Sequence, residues 1–188
     1  QNQIDTVIDM THPYAAQMSA HAACVAQQLS LPTIAFHRPA WVPDVSDRWT
    51  EFQSWQAMVD AAPTNASVFV AGGSRDIDVF YQRPDLHLLI RGLNLQKYEI
   101  KNFKNQNINF INQLPNKAVE DEVRLLYDHK ITLICCKNSG GNYSKAKLLA
   151  ARQLGIPVWM LARPARPHDA PFYRILGDVE FVMQALAS

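Results

Sequence analysis

The stretch from Ile131 to Pro164 constrains this chain more than any other. Ile131 to Cys136 is a near-continuous apolar run, as expected for a strand buried on both faces of a parallel sheet. Lys137 to Tyr143 follows as a polar turn centred on Gly140-Gly141, where the backbone can take positive φ or approach a ligand closely. Ser144 is placed to cap a helix with Leu148, Ala151 and Leu154 on its apolar side, and Gly155 with Pro157 ends it. Val158 to Ala162 is a second apolar strand. The pattern is β-loop-α-β, with the polar loop at the carboxyl end of a strand, where open α/β sheets bind ligands.

The same unit occurs earlier in the chain. Thr6 to Met10 reads as a strand interrupted by Asp9, Thr11 to Tyr14 as a polar turn, Ala15 to Leu29 as a helix, and Thr33 to Phe36 as a strand. An offset of 125 superposes the two units without a gap and leaves Ser19, Ala26, Gln28, Leu29, Pro32, Arg38, Pro39 and Ala40 identical to their counterparts. The order of elements repeats too. The expectation is an α/β protein of two similar Rossmann-like halves, with parallel sheets and a ligand cleft between them. The polar segment from Asn94 to Asn109 is the expected join, giving halves of residues 1–93 and 94–188.

Between the repeats, Thr50 to Ala62 reads as a helix after a short strand, Ser67 to Ala71 as a buried strand, Asp76 to Tyr81 as a short helix and Leu86 to Arg91 as a strand. Phe110-Ile111 is a weak strand, Ala118 to His129 an amphipathic helix, and Asp178 to Leu186 a closing helix. With 188 residues, 48% of them apolar, the chain can bury a core of one or two small domains. A net charge of +1 gives no global field toward nucleic acid or membrane. The Lys- and Asn-containing 94–109 segment lacks the interleaved aromatics of a nucleic-acid surface. No apolar run nears the ~20 residues that span a bilayer. Three cysteines without a Cys-x-x-Cys pattern suggest neither a disulfide framework nor a metal site, so a cytoplasmic location is the default. His12, His21 and His37 have no metal-ligand spacing either.

Candidate site residues follow from position. Lys137, Asn138, Ser139, Gly140 and Gly141 form a turn ahead of a helix, an arrangement suited to an anion; the competing reading is a tight turn shaped only by geometry. Thr11, His12 and Tyr14 occupy the equivalent loop of the first repeat, where His12 can donate to an anion or deliver a proton, or merely cap beside Pro13. Gly72 and Gly73 follow the middle strand, either admitting a nucleotide closely or making an ordinary turn. Arg38, Arg91 and Arg163 each follow an apolar strand, as a rim for carboxylates or as three solvated charges.

Several of these stretches together resemble one family. Ile8-Asp9-Met10-Thr11-His12-Pro13-Tyr14-Ala15, Arg38-Pro39-Ala40-Trp41, Val68 to Gly73, Lys137-Asn138-Ser139-Gly140-Gly141, Lys147-Leu148 and Gly155 through Arg163-Pro164 resemble, in order, the precorrin-6A and cobalt-precorrin-6A reductases of corrin-ring (cobalamin) biosynthesis. The chain lacks the family's opening Gly-rich nucleotide turn, and one βα unit is expected to precede Gln1 in the natural protein. The resemblance implies an enzyme, an oxidoreductase that uses NADPH (or NADH) to reduce one carbon–carbon double bond of a tetrapyrrole. With that reading, the strand-end loops place the expected cofactor contacts at Thr11, His12, Gly72, Gly73, Lys137, Asn138, Ser139, Gly140 and Gly141. Substrate contacts fall at Tyr14, Arg38, Arg91, Arg163 and Lys147, with His12 the candidate catalytic residue and no metal. A monomer or weak homo-oligomer is expected. The alternatives are a non-catalytic Rossmann-like module for a nucleotide or anionic metabolite, and a phosphometabolite transferase.

Overall fold

The computed structural model describes residues 4–72, 77–93, 107–167 and 171–187. The chain forms two compact units: Gln1–Ala40 with Ser139–Gly141 and Arg163–Ser188, and Trp41–Asn138 with Asn142–Ala162.

The first unit carries a three-stranded parallel sheet. Strand β1 (Val7–Asp9) leads into the Ala-rich helix α1 (Ala16–Leu29) and returns as β2 (Thr33–Phe36), which aligns Val7 with Thr33 and Asp9 with Ala35. Ser19 and Ala26, seven residues apart and so on one helical face, are the buried residues of α1. Ser30 ends the helix in the left-handed region at φ 51°, its N–H turned back to the carbonyls of Ala26 and Gln27.

The second unit holds six parallel strands: β3 (Trp49–Phe52), β4 (Ser67–Ala71), β5 (His87–Gly92), β6 (Ile108–Asn112), β7 (Leu133–Lys137) and β8 (Val158–Leu161). They lie in the order β3-β8-β7-β4-β5-β6. From β4 the chain steps outward through β5 and β6, then returns to the other side of β4 with β7 and β8. Connections therefore part between β4 and β7, the position where such sheets bind ligands beyond their carboxyl ends. Helices α2 (Trp55–Ala61), α3 (Val119–Asp128) and α4 (Ala146–Leu154) connect the strands, with a 3-10 helix at Asp78–Gln82. Ser54 caps α2 by accepting from Ala57 N–H at 3.1 Å. Glu120, Asp121 and Glu122 place negative charge in the first turn of α3, where the helix dipole favours it. Phe69, Ile134, Leu148, Ala151 and Met160 form the centre of one buried apolar core.

The 125-residue repeat is real in the backbone. Residues 33–36 and 158–161 are both strands, and Gly155, the counterpart of Ser30, also ends its helix left-handed at φ 66°. The β-α-β units stand in different sheets.

Four expectations need correction. The units do not divide at residue 93, because β5 on one side of that boundary pairs with β6 on the other. Residues 94–106 of the expected join lie outside the described residues, and Ile108 and Asn109 belong to β6. Ser144 does not cap α4: the cap position is Lys145, in helical conformation and without a side-chain cap bond. A strand at Tyr173–Leu176, β9, went unforeseen; it pairs in parallel with β2 and precedes the closing helix α5 (Val179–Ala187). Among the described residues, no helix is long and apolar enough to cross a membrane.

Candidate active site

In the first unit the two homologous loops meet. Strand β1 ends at Asp9, only 5% exposed, and its Oδ1 accepts from Thr11 N–H at 3.0 Å. Tyr173 on β9 donates its hydroxyl to Asp9 Oδ2 at 3.1 Å, and Thr11 Oγ1 lies 3.2 Å from Ser19 Oγ on α1. Burial alone would raise the Asp9 carboxyl, but hydrogen bonds from Ser19, Thr11 and Tyr173 hold it below its ordinary value. Burial and the neighbouring Asp9 charge push the Tyr173 phenol up to about 12. The network fixes the start of the turn that carries His12.

His12 is exposed. Tyr14 N–H donates to His12 Nδ1 at 3.3 Å, so in the neutral ring the proton sits on Nε2. That nitrogen lies 3.2 Å from Ser139 Oγ, 127 residues away in sequence, and the hydroxyl oxygen accepts. The Tyr14 and His12 rings are 5.7 Å apart.

Ser139 opens a turn whose next two residues are left-handed, Gly140 at φ +68° and Gly141 at φ +72°. A Cβ on Gly140 would stand 2.2 Å from Pro39 O and 2.7 Å from Arg163 Nη2, so no side chain fits there. At Gly141 the nearest atom would be Arg38 Cδ, at 3.6 Å, which places the stem of Arg38 beside the turn. Arg163 Nη1 donates to Arg38 O at 2.8 Å and Nη2 to Pro39 O at 3.4 Å. Burial lowers the Arg163 pKa, though a guanidinium stays charged in proteins.

The structure thus brings Thr11, His12, Tyr14, Arg38, Ser139, Gly140, Gly141 and Arg163 into one unit. Arg163 is the correction among them, because its guanidinium is turned onto backbone carbonyls and not outward to a carboxylate.

The remaining expected residues stand in the second unit. Lys137 ends β7, half-buried, at the point where the sheet's connections part. Asn138 is buried and used as a strut: Trp41 N–H donates to its Oδ1 at 2.8 Å, and its Nδ2 donates to Trp41 O at 3.0 Å. Gly72 is small because Trp55 lies against it, 3.0 Å from where a Cβ would be. Gly73 lies outside the described residues. Arg91 is not part of a rim: its side chain is 3% exposed and pairs at 2.5 Å with Glu122, itself fully buried. Lys147 is also buried, its Nζ donating to Ser144 O at 2.7 Å and lying 4.8 Å from the centre of the Trp41 ring. Burial lowers its pKa, and none of this geometry offers the ammonium to a substrate.

A model of the precorrin-6x reductase CbiJ/CobK family matches residues 1–187. The chain belongs to the precorrin-6x reductase family. A precorrin-6A reductase of Rhodobacter capsulatus is 37% identical over 98% of this chain and 71% of its own length. One from Rhodococcus erythropolis is 32% identical, over 87% of the chain and 65% of its own length. A solved structure of a CobK precorrin-6A reductase superposes with a TM-score of 0.86 at 35% identity, covering 97% of this chain and 72% of that one. The chain therefore spans about two thirds of the length of these family members. For the precorrin-6x reductase fold, parallel α/β sheets were the expectation, and both sheets are parallel throughout.

Sequence reasoning missed Arg166, whose Nε and Nη2 donate to Pro13 O and His12 O. It also missed Tyr173 and Glu122. Asp9 left a signal, a lone carboxylate interrupting an apolar strand. Arg166 left a fainter one, three residues after Arg163.

Proposed function

We propose that this chain reduces one carbon–carbon double bond of precorrin-6A to give precorrin-6B, taking hydride from NADPH. The observation that carries the reading is the meeting of His12 and Ser139, which joins the loops of both repeats in a chain whose relatives are named precorrin-6A reductases. A reduction of this kind needs a hydride, an incoming proton and places for negatively charged ligand groups.

The residues present fit an anionic nucleotide or a polycarboxylate. The 139–141 turn offers backbone with no side chain beyond Ser139, and Arg38 runs alongside it. Arginine's planar fork suits carboxylate and phosphate alike. A bound nicotinamide nucleotide supplies the hydride. His12 carries its proton at Nε2, where the neutral ring donates a hydrogen bond; delivery of a proton starts from the imidazolium and leaves the neutral ring behind. Ser139 Oγ orients the ring while it waits. A positioned general acid contributes typically ~10²–10⁴-fold in rate.

The test is oxidation of NADPH or NADH at 340 nm with precorrin-6A or its cobalt form as acceptor. NADPH consumption matched to precorrin-6A loss, reduced at least ~100-fold in His12→Ala, is the expected result. Binding of nucleotide without turnover of either acceptor would favour the non-catalytic module and refute the reductase.

A further inference from the structure

Two arginines of one short segment grip two Xaa-Pro turns in the same manner. Arg163 donates to the carbonyls of Arg38 and Pro39, and Arg166 donates to those of His12, at 2.5 Å, and Pro13, at 3.1 Å. In both cases one planar guanidinium spans the consecutive carbonyls of the residue before the proline and of the proline itself. The gripped turns are those that carry the candidate ligand residues, Arg38 and His12. All of these residues lie within the first unit.

Such a grip has a physical use. Proline fixes its own φ and restricts the residue before it, but leaves the orientation of the turn against its surroundings open. A guanidinium presents donors in a fixed fork, so two bonds to successive carbonyls set orientation as well as distance. The same turn is also held at its start by Asp9, which accepts from Thr11 N–H. The imidazole is thus carried on a turn held at two points along the chain, with its tautomer set by Tyr14 N–H.

We infer that Arg163 and Arg166 are paired positioning residues, which lock the Arg38-Pro39 and His12-Pro13 turns so that His12 and Arg38 face the ligand in fixed geometry. They touch backbone, not substrate, and act through the residues they hold. For catalysis the inference rests on the reductase reading, but its first test does not.

That test is the ¹⁵N spectrum of the His12 ring in the full chain. Wild-type protein should show one neutral tautomer, protonated at Nε2. Arg166→Ala should show a mixture, while far-UV circular dichroism stays native. Arg166→Lys should behave the same way, because one ammonium cannot span two carbonyls, and it serves if the alanine variant does not fold. A pure Nε2–H tautomer in a folded Arg166 variant would overturn the inference, whether or not the protein reduces anything. The second arm is kinetic. Arg166→Ala should lower kcat about 10- to 100-fold with KM changed less than about twofold, since small misplacements of a reacting group cost rates of that order. In a His12→Ala background the same change should cost less than about twofold. Equal losses in both backgrounds would mean that Arg166 does not act through His12, and the inference fails. Absence of reductase activity in the wild type would refute the proposed function, and the spectrum would still decide this one.

Discussion

Gly140 lies so close to Pro39 that a Cβ on it would stand 2.2 Å from the proline carbonyl oxygen. That carbonyl is also one of the two gripped by Arg163. The contact separates three glycines that local sequence treats alike. Gly140, Gly141 and Gly155 are all left-handed, but only Gly140 is both strained and crowded, whereas nothing lies within 4 Å of a Cβ on Gly155. Gly155→Ala should cost about 1 kcal/mol and Gly141→Ala about 1–2, the price of a left-handed alanine. Gly140→Ala adds displacement of Pro39 and Arg163 and should cost about 3 kcal/mol or more. Urea unfolding of the three variants checks the ranking. Equal losses would mean the 139–141 turn yields freely and is not a rigid cradle.

The buried Arg91–Glu122 pair makes a different prediction. Glu122 Oε1 also accepts from Asn116 N–H at 3.0 Å, but Glu122 Oε2 and Arg91 Nη2 find no hydrogen-bond partner among the described residues. Breaking such a pair strands a buried charge, so Arg91→Leu or Glu122→Leu alone should cost about 3–5 kcal/mol. The double replacement should recover most of that loss, because desolvation of both charges disappears with them. Chemical denaturation of the four proteins measures the coupling. Additive losses would contradict it.

Arg91 also shows where the sequence stops being legible. A charged residue at the end of an apolar strand is visible in one dimension, but the glutamate that buries it is 31 residues away on α3. Lys147 was misread for the same reason: the helix pattern does not reveal that Trp41 and Ser144 O enclose its ammonium. Strands such as Thr33–Phe36 and Ser67–Ala71 were readable to the residue, since continuous apolar runs report burial on both faces. Tyr173–Leu176 was not, because a four-residue strand with Arg174 in it owes its existence to pairing with β2, some 140 residues earlier. Of the candidate site, the loops themselves were legible from the repeat. That His12 reaches Ser139, and that Arg163 turns inward, depends on folded distances no pattern encodes.

Asp9 links the site to acid stability. Its carboxyl titrates below its ordinary value when folded, so it contributes stability above the unfolded carboxylate value, ~3.9, that is lost as pH falls through the folded one. Asp9→Asn should therefore lower stability at pH 7 and flatten the decline below about pH 4 relative to wild type. Thermal unfolding from pH 7 down to pH 2.5 compares the two. Parallel curves over that range would show that the hydrogen bonds from Thr11, Ser19 and Tyr173 do not favour the charged form.

Lys147 gives a slope of the same sign in an alkaline window, but here the shift disfavours the charged form. Burial lowers its pKa, so between its folded value and the unfolded lysine value, ~10.4, the unfolded chain binds more protons. Wild-type stability should rise with pH through that window, and Lys147→Met should remove this increment. The difference between the two proteins, followed by urea denaturation from pH 7 to 10.5, isolates the lysine from all other groups. A pH-independent difference would place the ammonium in contact with water.

Arg38 is the arginine left to meet a ligand once Arg91 is paired with Glu122 and Arg163 is turned onto carbonyls. Its stem lies beside Gly141, and it belongs to the unit that holds His12 and Ser139. A charge-assisted hydrogen bond is worth ~1.5–3 kcal/mol, so Arg38→Ala should weaken binding of a carboxylate-bearing substrate about tenfold or more. Arg38→Lys should restore little if the contact is bidentate, since an ammonium cannot reproduce the planar fork. The loss should shrink between low salt and ~0.5 M salt, because Arg38 is only half-buried and screening acts on it. Arg91→Ala, by contrast, should act on stability first, with KM following only as the fold weakens. Steady-state kinetics of Arg38→Ala, Arg38→Lys and Arg91→Ala at both ionic strengths distinguishes the cases. Wild-type KM in folded Arg38→Ala at low salt would remove Arg38 from the site.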